Sequence, residues 1–211
     1  MCPFAEPVKT RQGSNKKRSA QLTRASLMSA AEHLFARHGV AGITLTEIAR
    51  AVGVSGPAIY NHFPSKDALF IAVVQQMYDE EIKSFKRALD PLNSVAEGLR
   101  ALLELVPTLY RDDGTLQLLG LTAQLEAARN PEVYQVLIEA SKQRDQVAID
   151  LAHRAQACGE LQARVSAEEL GPMLMSLFYG ALGYRSLLAS SPEQFFASVK
   201  ALKCLLTVMQ S

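Results

Sequence analysis

Apolar and polar positions follow a helical spacing along nearly the whole chain, and no stretch shows the period of two typical of a half-buried strand. In one short segment Leu45, Ile48 and Ala49 share an apolar face. Thr44 opens this segment with the pattern Thr-x-x-Glu, a capping box that satisfies the free amides at a helix start. Gly53 follows the last apolar turn, where glycine adopts the left-handed backbone of a helix end at least cost. The pattern therefore predicts a short helix that ends in a tight turn.

A second short helix is predicted directly after this turn. Ser55 is a favoured N-cap residue, and Pro57 falls in the first turn, where its missing N–H is not needed. Ile59 and Phe63 lie on the inward side, and Pro64 ends the helix. Two short helices joined by a tight turn form a helix-turn-helix, which places its second helix in the major groove of DNA.

Capping signals and glycines divide the rest of the chain into further helices. These helices are predicted from about Leu22 to His38, from Lys66 to Leu89, from Ser94 to Tyr110, from Thr115 to Arg129 and from Asn130 to Cys158, and two more begin at Ser166 and Ser191. With the two short helices the count is about nine. The predicted fold class is therefore all-α, with a three-helix N-terminal head and a helical C-terminal body.

Charge is unevenly distributed, although the whole chain has a formal net charge of only +1. Residues 1–75 hold nine Lys and Arg against four Asp and Glu, a net charge of +5, and the remainder holds thirteen against seventeen, a net charge of −4. A basic head on an acidic body is expected when a DNA-binding module is joined to a module that does not bind DNA.

The first residues of the chain are polar and contain no apolar run that would suit a signal peptide. They carry the cluster Lys16-Lys17-Arg18, so residues 1–21 are predicted to form a flexible basic arm. Two alternatives stay open for this arm. It lies along DNA phosphates or enters the minor groove, or it is a solvated tail that never touches DNA.

The last two predicted helices are apolar over most of their surface. Between Leu170 and Ala189 the only charged residue is Arg185, but Gly171 and Pro172 fit a membrane span poorly. A helix that is apolar nearly all round is more often buried between its own core and a partner. We therefore expect no membrane span but a homodimer interface, a four-helix bundle with two helices from each subunit. Its predicted residues are Leu170, Leu174, Leu177, Ala181, Tyr184 and Leu188 on one helix and Phe195, Val199, Leu202 and Leu206 on the other.

Small and polar residues remain on the outer side of the helix-turn-helix. They are Thr44, Thr46, Ser55, Gly56, Pro57, Tyr60, Asn61, His62 and Lys66. Hydroxyl, amide and imidazole groups can bond phosphates or base edges, and Lys66 supplies a charge beside a helix start. Gly56 and Pro57 offer bases no donor, but they permit close approach. A helical hairpin without a DNA function is the alternative, and the capping at both ends argues against it.

The segment from Arg24 to about Ala72 resembles the DNA-binding domain of the TetR/AcrR family of bacterial transcription regulators. The resemblance is carried by Ala-Glu-His-Leu-Phe-Ala-Arg-His-Gly at 31–39, Thr-Leu-Thr-Glu-Ile-Ala at 44–49, Gly-Val-Ser at 53–55 and Ile-Tyr-Asn-His-Phe-Pro-Ser-Lys-Asp-Ala-Leu at 59–69. Many members of the family have a lysine where Gly56 stands, so the base-reading residues of this chain do not follow from the resemblance.

The resemblance implies a role for each exposed residue of the motif. Thr44 and Thr46 would contact the DNA backbone; Ser55, Gly56, Pro57 and Asn61 would face the groove; Tyr60, His62 and Lys66 would hold phosphates. It further implies a cytoplasmic, ligand-responsive regulator, in the main reading a repressor, that binds a palindromic operator in double-stranded DNA as a homodimer. The DNA-binding domain would span residues 22–72, with the motif at about 45–64, and the ligand-binding and dimerisation body would span 73–211.

By the same resemblance, a small effector binds within the body and acts on the head through the helix that begins at Lys66. The candidate effector-binding residues are Met77, Tyr78, Tyr110, Gln117, Leu121, Gln124, Phe178 and Tyr179. The apolar members of this set fit an ordinary core equally well, whereas Gln117 and Gln124 interrupt apolar faces and suit an apolar or amphipathic ligand. The sequence does not separate a drug, a fatty-acyl thioester, a steroid or an antibiotic.

The sequence contains no arrangement that predicts catalysis, a cofactor or a metal. Cys2, Cys158 and Cys204 are far apart and lack a Cys-x-x-Cys spacing, which argues against a disulfide framework and a zinc site. The chain lacks the nucleophile–base pattern that an enzyme would need. A helical carrier of apolar ligands with a non-functional DNA-binding head remains the main alternative, and activation instead of repression stays open because both use the same fold.

Overall fold

A computed structural model describes residues 11–109, 114–160, 165–188, 191, 193–194 and 196–201, and within 11–22 and 181–188 it describes the backbone alone. These residues form helices and turns, with no strand among them, so the all-α prediction is confirmed. The helices are α1 Arg11–His38, α2 Leu45–Ala51, α3 Gly56–Ile59, α4 Lys66–Leu89, α5 Val95–Leu109, α6 Thr115–Ala127, α7 Pro131–Ala157 and α8 Ala167–Leu188. Residues 193–194 and 196–201 of the last predicted helix are helical too.

Helix α1 begins at Arg11, eleven residues before the predicted start at Leu22. About half of the predicted flexible arm is therefore helical. These residues are mostly Arg, Lys, Gln and Ala, which have high helix propensity. A helix that is already packed further along the chain is easily extended by such residues. Residues 1–10 lie outside the described part of the chain.

The head consists of α1 to α3 and the first turns of α4, and these elements share one apolar core. The rings of Phe35 on α1 and Phe70 on α4 meet edge to face with their centroids 5.2 Å apart. Ala49, Ile59 and Phe63, which the sequence places inward, are each no more than 2% exposed. The predicted core of the helix-turn-helix is therefore confirmed.

Capping residues fix most of the predicted helix starts. Asn130 accepts the first amides of α7, and Ser166 and Glu169 form a capping box before α8. At Ser94, where the pattern Ser-x-x-Glu predicts a capping box, half of the box is present, because Ser94 Oγ accepts from the Glu97 amide at 3.2 Å. The Ser94 hydroxyl donates to Glu160, a residue just beyond the end of α7, and the same carboxylate accepts from the Val95 amide at 2.7 Å. A carboxylate from a distant part of the chain thus helps to cap the start of α5.

The body is built around α7, which packs against α4, α6 and α8. Gly171 on α8 is buried at the crossing with α7, where a Cβ atom would lie 2.5 Å from Cγ1 and 2.8 Å from the backbone nitrogen of Ile149. Deeper in the body, Phe178 on α8 meets Phe85 on α4 edge to face at 5.7 Å. Gly171, which the sequence analysis uses only as evidence against a membrane span, therefore serves a close helix crossing within the subunit.

Two helices connect the head to the body. Helix α4 runs without interruption from Lys66 in the head to Leu89 in the body, as predicted. Helix α6 of the body also packs along α1 of the head, which the sequence did not indicate. Both α1 and α4 therefore connect the packing of the body to the head.

Candidate nucleic-acid interface and ligand cavity

The capping box at Thr44 is fully formed and fixes the start of α2. The Glu47 carboxylate accepts from the backbone nitrogen of Thr44 at 2.8 Å and from its hydroxyl at 2.6 Å, and Thr44 Oγ1 accepts from the Glu47 amide at 3.3 Å. The hydrogen bonds from Thr44 lower the pKa of Glu47, so its carboxylate stays ionised. The turn after α2 is closed by Gly53, which has φ +72°.

The surface formed by α2 and α3 exposes most of the residues predicted to contact DNA. Thr46, Ser55, Pro57 and Asn61 are exposed, and Tyr60 is 57% exposed. Ser55 occupies the N-cap position of α3 without a capping hydrogen bond from its side chain. Its hydroxyl is therefore free to serve as a donor or acceptor to DNA.

Gly56 and His62 are partly buried in this surface. A Cβ atom at Gly56 would lie 3.4 Å from Cγ2 of Thr46, which is ordinary van der Waals contact. A larger residue would thus fit at position 56, and the glycine leaves a shallow depression beside Thr46.

Helix α3 is shorter than the sequence predicts, because it ends at Ile59 and not just before Pro64. The amides of Asn61 and His62 bond the carbonyls three residues earlier, at 3.2 and 2.9 Å. This tighter pattern ends the α-helix, and the ring of Pro64 disfavours helical backbone at the residue before it. Tyr60, Asn61 and His62 are therefore presented by a turn and not by the helix.

Lys66 stands at the start of α4, beside the turn between α1 and α2. Its ammonium group donates to the carbonyl of Ile43 at 3.0 Å, and the pair is partly buried. The resemblance assigns Lys66 to DNA phosphate, but the structure shows a hydrogen bond that ties α4 to the segment before α2. The geometry thus gives Lys66 a bracing function within the head.

Arg24 on α1 is a basic residue of this surface that the sequence analysis missed. Its guanidinium lies 4.4 Å from the centroid of the Phe63 ring, which directly follows the turn at residues 60–62. One guanidinium nitrogen lies 3.0 Å from the sulfur of Met28. Arg24 is exposed. No local signal pairs it with Phe63, which is 39 positions away.

A cavity of about 640 Å³ lies in the body between α4, α5, α6, α7 and α8. Of the predicted effector-binding residues, six line it: Met77, Tyr78, Gln117, Leu121, Gln124 and Tyr179. Phe178 is a correction, because it is 2% exposed in the core against Phe85 and does not line the cavity. Tyr110 lies outside the described residues. Glu32 of α1 also lines the cavity, so the head itself forms part of its wall.

A buried polar cluster at the cavity wall was not predicted. One nitrogen of the Arg144 guanidinium donates to Glu81 at 3.2 Å and to the Tyr179 hydroxyl at 3.3 Å. The same guanidinium lies 5.0 Å from the ring centroid of Tyr78 and 4.7 Å from that of Tyr179. Burial raises the pKa of Glu81 and raises that of Tyr179 well above its usual value, and Arg144 opposes both shifts. The cluster joins α4, α7 and α8.

The residues predicted for the dimer interface fall into three groups. Leu177 is 55% exposed on α8, next to Met173 at 47%, whereas Leu174 and Val199 are buried in the core of the subunit and Leu170 is partly buried. Ala181, Tyr184 and Leu188 continue the helix of Leu177, with side chains that are not described. Phe195, Leu202 and Leu206 lie outside the described residues. Leu174 and Val199 stabilise the subunit itself, because each sits on the inward side of its helix.

The described residues offer neither a membrane span nor a metal cluster. None of the helices there combines the length and apolar character needed to cross a lipid bilayer. Within the same residues, no three His, Cys, Asp or Glu side chains come together as a metal site. Cys158 is an exposed free thiol, and Cys2 and Cys204 lie outside the described part.

Comparison with known proteins identifies relatives of both the head and the whole chain. The sequence model of bacterial regulatory proteins of the tetR family matches residues 27–73. The HTH-type transcriptional regulator UidR of Escherichia coli K12 is 23% identical over 168 residues, which cover 80% of this chain and 84% of UidR.

Solved structures resemble the fold over most of its length. GusR of Salmonella enterica superposes with a TM-score of 0.65 at 26% identity and covers 88% of this chain and 95% of its own. A protein of Saccharomonospora viridis, described as a transcriptional regulator and solved in complex with choline, superposes with a TM-score of 0.72 at 22% identity, covering 89% and 95%.

Proposed function

We propose that this chain, a DNA-binding and non-enzymatic member of the TetR family of bacterial transcription regulators, is a repressor that a small organic effector releases from DNA. In this proposal a homodimer binds a palindromic operator. The observation that carries it is that α1 and α4 belong both to the exposed helix-turn-helix head and to the wall of a 640 Å³ cavity.

The DNA-reading part of the proposal rests on the exposed residues around α3. Asn61, Ser55 and Thr46 offer donors and acceptors to base edges, and Tyr60 reaches outward to phosphate. We assign Arg24 to phosphate as well, because its exposed guanidinium is held in position by Phe63. Gly56 leaves room for close approach of the backbone to the duplex.

The homodimer part rests on α8. Met173 and Leu177 form an exposed apolar stripe there, and residues at the same helical spacing follow towards Leu188. Two heads related by a twofold axis read an inverted repeat whose half-site spacing is set by the body. Because the protein acts on chromosomal DNA, we place it in the cytoplasm.

The release step rests on the cavity, whose volume suits a drug-sized ligand. A structural neighbour solved with choline supports a small organic effector in this fold. A ligand can shift the dimer away from DNA only if it binds the released arrangement more tightly. Contacts to Glu32 on α1 and to Met77 on α4 would supply that difference, since both helices carry the head.

A gel-shift titration with the intergenic DNA beside the protein's own gene tests the proposal. We expect salt-sensitive binding to one inverted repeat and weaker binding of Tyr60→Ala to every sequence, as loss of a phosphate contact requires. The matched control is Tyr134→Ala on α7, which removes a tyrosine that is 50% exposed far from the head in sequence. Equal binding to scrambled DNA, or equal loss in both variants, would argue against the proposal.

A further inference from the structure

The cavity wall has a strong excess of negative charge. Among the described residues, four acidic side chains, Glu32, Glu80, Glu81 and Asp145, line the cavity together with one basic side chain, that of Arg144. With all five groups ionised, these side chains sum to a net charge of −3 around a partly enclosed space. Such a field disfavours anionic ligands and attracts cations, because low-dielectric walls strengthen the interaction.

The carboxylates differ in how well the protein itself satisfies them. Glu81 pairs with Arg144 at 3.2 Å, and Glu80 accepts from Gln76 at 3.0 Å. Asp145 has no hydrogen-bond partner among the described residues, and burial raises its pKa against the nearby charge of Arg144. An unpartnered, partly buried carboxylate costs free energy that a bound cation would recover.

A second acceptor on the same wall also lacks a partner. The side-chain carbonyl oxygen of Gln117 is buried and has no hydrogen bond among the described residues. Buried polar groups in folded proteins are nearly always hydrogen-bonded. Asp145 and Gln117 therefore both present an acceptor without a donor. A ligand with a protonated amine carries N–H donors, whereas a ligand with a carboxylate group has no donor there.

The rest of the wall is apolar. It is formed by Leu109, Leu116, Leu121, Leu137 and Met175, among others. A ligand that fills this space must therefore pair a cationic group with an apolar body.

Among the described residues of the wall, Arg144 is the one that favours an anion. Only one of its guanidinium nitrogens is used by Glu81 and Tyr179, so two nitrogens have no protein acceptor in the described part of the chain. The guanidinium of Arg144 already interacts electrostatically with the carboxylates of Glu81 and Asp145. An anion bound to Arg144 would therefore face both of these negative charges. Like-charge repulsion makes this the less favourable occupant.

We propose that the cavity binds a protonated amine with an apolar body, with Asp145 as its counter-ion and with the leucine-lined wall around its hydrocarbon part. This inference rests on the proposed function, because it names the class of effector for the same cavity. The amine nitrogen donates to the Asp145 carboxylate, and the Arg144–Glu81 pair stays intact beside it.

Isothermal titration calorimetry on the full chain near neutral pH tests the inference with three probes of equal chain length: n-decylamine, n-decanoate and 1-decanol. We expect n-decylamine to bind about tenfold to a hundredfold more tightly than the other two, as one charge-assisted hydrogen bond in a partly buried site allows. Asp145→Asn should reduce amine affinity by a similar factor and leave 1-decanol binding unchanged. Asp150→Asn is the matched control, because Asp150 is an exposed carboxylate on the same helix that bonds Gln146.

Three results would overturn the inference: decanoate binding as tightly as the amine, equal binding of amine and alcohol, or unchanged amine affinity in Asp145→Asn. Thermal unfolding of Asp145→Asn shows in parallel that the variant is folded. The gel shift on operator DNA is read separately. If the amine fails to bind while operator binding is intact, the charge assignment fails and DNA recognition stands.

Discussion

Replacement of Lys66 by methionine separates bracing of the head from contact with DNA. The Lys66→Met change keeps most of the apolar stem and removes the ammonium group that donates to Ile43 at 3.0 Å. A hydrogen bond to a charged group is worth about 1.5–3 kcal/mol. Because this pair is only partly buried and solvent screens the charge, we expect a smaller loss, of about 1–2 kcal/mol.

Thermal unfolding followed by circular dichroism measures this loss. For a chain of this size 1 kcal/mol corresponds to about 2–4 °C in Tm, so Lys66→Met should lower Tm by about 2–8 °C. The control is Lys83→Met, which removes an exposed lysine of α4 that has no hydrogen bond among the described residues. If the two variants unfold within about 1 °C of each other, the bracing argument is wrong.

The salt dependence of DNA binding distinguishes the two functions of Lys66. A brace that is lost weakens binding by a similar factor at all KCl concentrations, because no phosphate contact disappears. The slope of log K against log salt is negative, and loss of a phosphate contact reduces its magnitude by about 0.9 per subunit. A slope of smaller magnitude with an unchanged Tm would show that the ammonium group serves DNA phosphate instead.

Three further predictions test other parts of the structure. Gly171→Ala should lower stability by about 1–3 kcal/mol in thermal unfolding because the new methyl group overpacks a helix crossing, whereas Gly180→Ala, with nothing within 4 Å of its Cβ position, should be neutral or stabilising; equal effects would contradict the crossing. Arg24→Ala should reduce the salt slope of DNA binding by about 0.9 per subunit, and an unchanged slope in anisotropy titrations would exclude a phosphate contact. Burial raises the pKa of Asp145, so the folded state holds this proton more tightly and stability falls as pH rises through the raised pKa. Asp145→Asn should therefore unfold at a higher Tm than the unchanged chain at pH 7, and this difference should disappear towards low pH. A lower Tm of the variant at pH 7 would contradict the burial argument.

The features that the sequence predicts correctly depend on neighbouring residues. The capping boxes at Thr44 and Ser166 and the proline-led start of α7 are complete within a few positions, so local chemistry determines them. The inward face of the helix-turn-helix follows from helical spacing for the same reason. Six of the eight predicted effector-binding residues also line the cavity.

The features that the sequence missed depend on contacts between distant positions. Glu160 caps the helix after Ser94 from 66 residues away, and Arg144 pairs with Glu81 across 63 residues. No periodicity reveals such pairs, because they arise only when α7 packs against its neighbours. The prediction that α8 supplies the dimer face was too broad for a related reason, since its spacing does not distinguish Leu174, buried within the subunit, from the exposed Leu177.

The central claim, that the exposed surface around α3 reads DNA as part of a twofold dimer, is tested most directly by selection from a library of random duplexes. The purified chain is incubated with the library, bound DNA is amplified over several rounds, and the enriched sequences are aligned. The account predicts one inverted repeat with a fixed half-site spacing, and an altered preference at single positions for Asn61→Ala. Two results would contradict the account. One is that no motif is enriched, and the other is that Asn61→Ala and the variants of Ser55 and Thr46 all enrich the same motif as the unchanged chain.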